Sequence, residues 1–209
     1  MILKKFVDTV YTVIDENRVI FLWVLLFFLI GIVLGSCTVY YMNDFNKVEI
    51  GTYFSEFLSF LSGNKVSYMK VLLSSALNIL PIILLIVLLG YTLIGSPIIL
   101  FIDLIKGYIL GFTFALLVSI LGGKGIILLF LGIMIQEIVF IPCLIIISTV
   151  AVKNSILKIK GGINRDKSRN ERINKNYMKV QGIFSAILFI GIFIETYISP
   201  NLIKLVITK

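Results

Sequence analysis

Apolar residues run through this chain in long blocks, with the polar residues collected in the breaks between them. A helix needs about 20 such residues to cross a hydrocarbon core at ~1.5 Å per residue. Five blocks of this kind occur, at about 19–42, 71–93, 98–121, 126–152 and 180–199. They predict an all-α, polytopic integral membrane protein folded as one membrane domain over residues 1–209.

The breaks carry their own patterns. Residues 1–18 place Leu3, Phe6, Val7, Val10, Tyr11 and Ile14 at helical spacing, with Lys4, Lys5, Asp8, Asp15 and Glu16 between them, which predicts an amphipathic helix lying in the interface. In the loop at 43–70, Tyr53, Phe54, Phe57, Leu58 and Leu61 line up on one helical face. That face serves either to anchor the loop in lipid or to dock a partner outside the cytoplasm. Gly95-Ser96-Pro97 is too short to leave the interface, so the second and third spans form a hairpin, and Gly122-Gly123-Lys124-Gly125 turns the third span into the fourth. Leu34-Gly35-Ser36-Cys37 has the look of a lipoprotein processing site, but the residues before it are acidic as well as basic and the apolar run continues past Cys37. We expect no cleavage there.

Composition excludes most other classes. With 59% hydrophobic and 14% charged residues and a mean hydropathy of +1.07, the chain has too little polar surface to coat a soluble domain of any size. Histidine is absent and the two cysteines, Cys37 and Cys143, both sit in apolar stretches. Neither the usual zinc sites nor a Ser-His or Cys-His pair can be built, and no cofactor is expected. The net charge of +8 does not point to nucleic acid, because nine of the 19 basic residues fall between Lys153 and Lys179, beside a span. Counting Lys4, Lys5 and Arg18 with them gives twelve on one side against six on the other, which predicts a cytoplasmic N-terminus, a basic cytoplasmic loop at 153–179 and an extracytoplasmic C-terminus.

Ionisable groups at membrane depth cost roughly 2.5–3.5 kcal/mol each on insertion scales, so they face a partner or a wet cavity. Asp103 and Lys106 lie in the third span, Gln136 and Glu137 in the fourth. Reflecting that hairpin about its glycine turn sets Lys106 level with Glu137, predicting an ion pair with Asp103 as a competing partner. Such a cluster either fixes helix register or carries a proton or polar solute. Pro142 frees the carbonyl of Ile138 next to Glu137 and adds polarity there. Glu195 stands near the outer interface. Gly31 and Gly35, and again Gly107 and Gly111, form small-xxx-small faces that suit either a homodimer or contacts within one chain.

Several stretches resemble the stage II sporulation protein M family: Leu29 to Gly35, Leu88 to Pro97, Lys106 to Thr113, then Gly125, the Gln136 region with Ile141-Pro142, and Glu195 with Ser199-Pro200. The likeness covers nearly the whole chain. It departs from the family at Ile135-Gln136-Glu137, where Pro-Gln-Asn is expected and only Gln136 carries over, and at Gly123-Lys124-Gly125, where a tryptophan before Gly125 is expected. The resemblance implies a polytopic component of the engulfment machinery of endospore formers. There it would hold two septal cell-wall hydrolases, the stage II sporulation proteins D and P, at the mother-cell septal or engulfing membrane, without being an enzyme. The competing expectation is a transporter or permease subunit built on the intramembrane charges. An intramembrane hydrolase is a distant third, since no GxGD or HExxH motif is present.

Overall fold

The computed structural model describes residues 11, 14–63, 68–128, 134–161, 177–178, 180–189, 191–192 and 196. Among them there are helices and no strands. They are α1 (Arg18–Tyr40), α2 (Asp44–Gly63), α3 (Tyr68–Leu89), α4 (Gly95–Leu128), α5 (Ile135–Gly161) and the shorter apolar α6 (Val180–Phe189). Four are long and apolar enough to cross a bilayer: α1, α3, α4 as far as Ile120, and α5 from Glu137 to Ile159. The chain is thus an all-α polytopic membrane protein.

The expected glycine turn is present at Gly122, whose φ of 54° lies in the left-handed region that costs glycine least. The helix resumes after it as far as Leu128. The next crossing helix, described from Ile135, runs on to Gly161, past 152. Its last turns carry Ile156, Leu157 and Ile159 among the lysines and remain helical where the sequence pattern predicts the start of a loop. Most of the predicted interfacial helix at 1–18 lies outside the described residues. At its end, Arg18 pairs with Asp15, and Glu16 accepts a hydrogen bond from Lys153 at 3.3 Å.

Helix α5 is the centre of the bundle. In its most apolar stretch 72% of residues are buried, against 22% in each of the other three spanning helices. The run from Cys143 to Val152 is buried on every side, and α1, α3 and α4 all pack on it. Its outer neighbours bury one stripe each: Ser75, Ile79, Ile83 and Ile86 on α3, and Val24, Phe28, Gly31, Gly35 and Val39 on α1. The opposite faces expose Leu22, Leu29 and Val33 on α1 and Leu73, Leu77 and Leu84 on α3, as a lipid-facing surface must.

The tightest junction joins α1 to α4. A Cβ on Gly31 would fall on the Leu104 carbonyl and lie 2.8 Å from the Tyr108 nitrogen; on Gly35 it would meet the Tyr108 carbonyl and stand 2.7 Å from the Phe112 nitrogen. The fit is reciprocal, because a Cβ on Gly107 would meet the Phe28 carbonyl and one on Gly111 the Ile32 carbonyl. Each helix lays its backbone on the other's glycines, and Ser36 Oγ adds a hydrogen bond to the Gly111 carbonyl at 3.3 Å. The two glycine faces are occupied by each other within one chain.

Candidate functional site

The intramembrane charges divide between two places on the α4–α5 seam. Asp103 is completely buried and accepts a 2.7 Å hydrogen bond from Ser148 Oγ. Among the described residues its second oxygen meets no hydrogen-bond donor. Seven residues along each helix, the Ser96 amide donates to Ser155 Oγ at 3.0 Å. The same antiparallel register satisfies both pairs, so the polar contacts pin the two helices lengthwise.

Lys106 faces elsewhere. Its ammonium lies 5.5 Å from the centroid of the Phe140 ring, within cation–π range. It lines a cavity of about 90 Å³ together with Glu137, Phe28 and Thr113. Glu137 is near enough for its charge to act on Lys106. Asp103, expected as a competing partner, does not line this cavity and turns to Ser148 instead, because α5 offers it a hydroxyl deeper in the apolar run. The side chain of Gln136 and the whole of Glu195 lie outside the described residues.

The Ser148 contact can be weighed directly. Ser148→Ala removes the described donor to a buried carboxyl and is expected to cost about 1–3 kcal/mol. Asp103→Ala should cost less in the Ser148→Ala background than alone. Unfolding of the two single variants and the double variant in detergent measures this; strictly additive losses would show that the two side chains are not coupled.

A second polar cluster sits where α3 ends and was not singled out from the sequence. The last carbonyls of a helix lack intrahelical partners, and here side chains from elsewhere supply them. Tyr177 donates to the Val87 carbonyl at 2.9 Å, Asn154 to Gly90 at 2.9 Å, Lys158 to Tyr91 at 3.1 Å and Ser155 to Thr92 at 2.9 Å. The Tyr91 ring takes the Lys158 ammonium at 4.6 Å on its face and meets the Tyr177 ring edge-on at 5.0 Å. Gly90 is required by this closeness, since a Cβ there would strike the Tyr177 hydroxyl and stand 3.1 Å from Ala151 Cβ. Gln181 at the start of α6 donates to the Ile147 carbonyl at 3.0 Å, tying the last helix to the centre. Burial pushes the Tyr177 phenol above its usual range, with the Gln181 hydrogen bond acting against the rise and Tyr91 adding to it.

The docking face expected in the 43–70 loop lies on α2. Tyr53 is 65% exposed and Phe45 78% exposed, while Phe54 is half-buried; the side chains of Phe57, Leu58 and Leu61 lie outside the described residues. α2 rests on the end of α4, where Gly51 faces Ile120.

A central helix carrying hydroxyls and amides, sheathed by helices that are apolar on the outside, defines a multi-helix membrane protein whose polar interior holds its helices in register. The chain belongs to the stage II sporulation protein M family, whose model matches residues 24–200. It is a sporulation-related membrane protein. No curated protein and no solved structure matches it. Three of the stretches that carry the resemblance are the ones with the closest backbone contacts: Leu29 to Gly35 and Lys106 to Thr113 are the two halves of the glycine junction, and Leu88 to Pro97 is the turn capped by α5.

Proposed function

We propose that this protein is a non-enzymatic scaffold of the engulfment machinery, holding the stage II sporulation proteins D and P at the mother-cell septal or engulfing membrane. It lies with its N-terminus in the cytoplasm and its C-terminus outside. The observation that carries this reading is α2: a 20-residue helix outside the bundle core, seated on α4 and presenting Phe45, Val48 and Tyr53 at 78%, 68% and 65% exposure. In the proposed orientation that apolar face lies on the side of the septal wall, where the hydrolases work. The rigid part of the molecule is spent on packing, as a platform requires.

Tagged protein purified from sporulating cells in mild detergent is expected to bring down both hydrolases, and a Phe45→Asp/Tyr53→Asp variant to lose them while reaching the membrane in normal amount. Full recovery with that variant would move the docking site off α2. Reporter fusions after Gly161 and at the C-terminus test the orientation, with cytoplasmic activity expected at the first and none at the second.

The cavity shared by Lys106 and Glu137 favours one alternative, transport of a small polar solute. Its volume has room for about three waters at ~30 Å³ each, and its described lining stops short of Asp103. Solute flux in vesicles that vanishes in Lys106→Ala would support that alternative over the scaffold.

A further inference from the structure

Immediately beyond the last glycine contact between α1 and α4, a groove of about 370 Å³ opens on the side of the bundle that carries α2. Its walls are Val39 on α1 and Phe114, Ala115 and Val118 on α4. The volume falls within the ~300–1,000 Å³ of small-molecule sites. Three polar residues also line it: Ser36, Ser119 and Lys47, the last from the first turns of α2.

Depth in the bilayer follows from the aromatic residues at the mouth. Tyr40 and Tyr41 are 79% and 81% exposed and pack edge to face with centroids 5.2 Å apart. Phe45 follows at 78%. Exposed aromatics concentrated where a spanning helix ends mark the headgroup level. The apolar walls therefore lie in the hydrocarbon and Lys47 among the headgroups. The Lys47 side chain is only 23% exposed, whereas its neighbour Asp44, at 3.9 Å, is fully exposed. A carboxylate so fully solvated, at the long end of ion-pair range, holds the lysine weakly, which leaves the ammonium able to meet a phosphate. Ser36 already donates to Gly111; Ser119 is exposed and can donate to an ester carbonyl.

We propose that this groove binds one phospholipid with an anionic headgroup: an acyl chain between α1 and α4, its ester carbonyl at Ser119 and its phosphate at Lys47. Length argues against a partner helix. The wall on α4 runs from Phe114 to Ser119, about 8 Å at 1.5 Å per residue, which is under two helical turns and too short for helix–helix packing.

Native mass spectrometry of the detergent-purified protein, titrated with phosphatidylglycerol or phosphatidylcholine, tests the proposal. One retained phosphatidylglycerol is expected, at least fivefold preferred over phosphatidylcholine. Lys47→Gln should bring that preference close to one, and Ala115→Trp, which fills the groove, should lower retention of both lipids about tenfold. Ala115→Trp with undiminished retention, or Lys47→Gln with the preference intact, would overturn the site. Because a tryptophan could disturb folding, photoreactive phosphatidylglycerol in vesicles of the unaltered protein gives a second reading. Labels concentrated on residues 114–119 support the site. Labels spread evenly over lipid-facing residues such as Leu22, Leu29 and Leu77, or groove peptides cross-linked between two copies of the chain, would overturn it.

Discussion

Gly107→Val is expected to be among the most damaging single substitutions on the helix surfaces, and Gly31→Val to follow it closely. At both positions the atoms that a new side chain would strike belong to backbone: the Phe28 carbonyl and the Ile32 nitrogen for Gly107, the Leu104 carbonyl and the Tyr108 nitrogen for Gly31. A neighbouring side chain can turn aside, but a helical carbonyl cannot move without its helix. Overpacking a well-fitted contact costs about 1–3 kcal/mol, and more where no relaxation is open. Separating α1 from α4 would also forfeit the most extensive contact among the described helices and the Ser36 hydrogen bond. Gly182→Ala provides the control. Among the described residues nothing stands within 4 Å of a Cβ at Gly182, so that change should be neutral or stabilise by up to ~1 kcal/mol through helix propensity. Thermal unfolding in detergent compares the variants; equal midpoints for Gly107→Val and Gly182→Ala would contradict the reciprocal glycine junction.

The second large effect concerns the capped end of α3. Asn154→Leu keeps approximate size and removes the donor to the buried Gly90 carbonyl, while Tyr177→Phe removes the donor to Val87 together with the phenol's hydrogen bond with Gln181. A buried acceptor left without a donor costs about 1–3 kcal/mol. In these two variants the loss should appear as local opening, with faster hydrogen exchange at Gly90, Tyr91 and Thr92 while α1 keeps its protection. Protection unchanged at those amides would mean that the cap does not hold the turn.

Tyr177 also makes a prediction about pH. Its folded pKa lies above the unfolded value of about 10, so its neutral form is favoured by folding. That contribution is complete below pH 10 and is lost as pH rises through the folded value. Alkaline destabilisation above pH 10 should therefore be shallower in Tyr177→Phe than in the unaltered protein.

How much of this was legible in the sequence depended on which solvent a residue meets. The spanning helices announce themselves, because each must present apolar residues to lipid along its whole length. Which of them is central does not, since lipid and protein interior are equally apolar; Leu144 at the core and Leu84 facing the bilayer are the same residue type in the same kind of run. The four glycines were recognisable as contact faces, but their pairing joins residues far apart in the chain, and spacing alone left both a homodimer and an internal junction open. Hairpin geometry placed Lys106 and Glu137 at similar depth, and the two share a cavity. Asp103 was assigned to them because it lies one turn away; its actual partner, Ser148, was an unremarked serine in an apolar run. Asn154 and Ser155 went unnoticed for a different reason: the lysines around them made the segment read as loop. The seven-residue interval between Ser148 and Ser155, which sets both on one face of the helix, was the available signal.

The α1–α4 junction has a consequence for how the protein is made. Ser36 and the Gly111 carbonyl it meets are 75 residues apart in the chain. At a synthesis rate of roughly 5–20 residues per second, α1 enters the bilayer about 4–15 s before its counterpart has left the ribosome. Throughout that interval its glycine strip lies open to any passing helix with small residues, so the nascent chain is most exposed to mispairing before the residues that give it a fold have been translated.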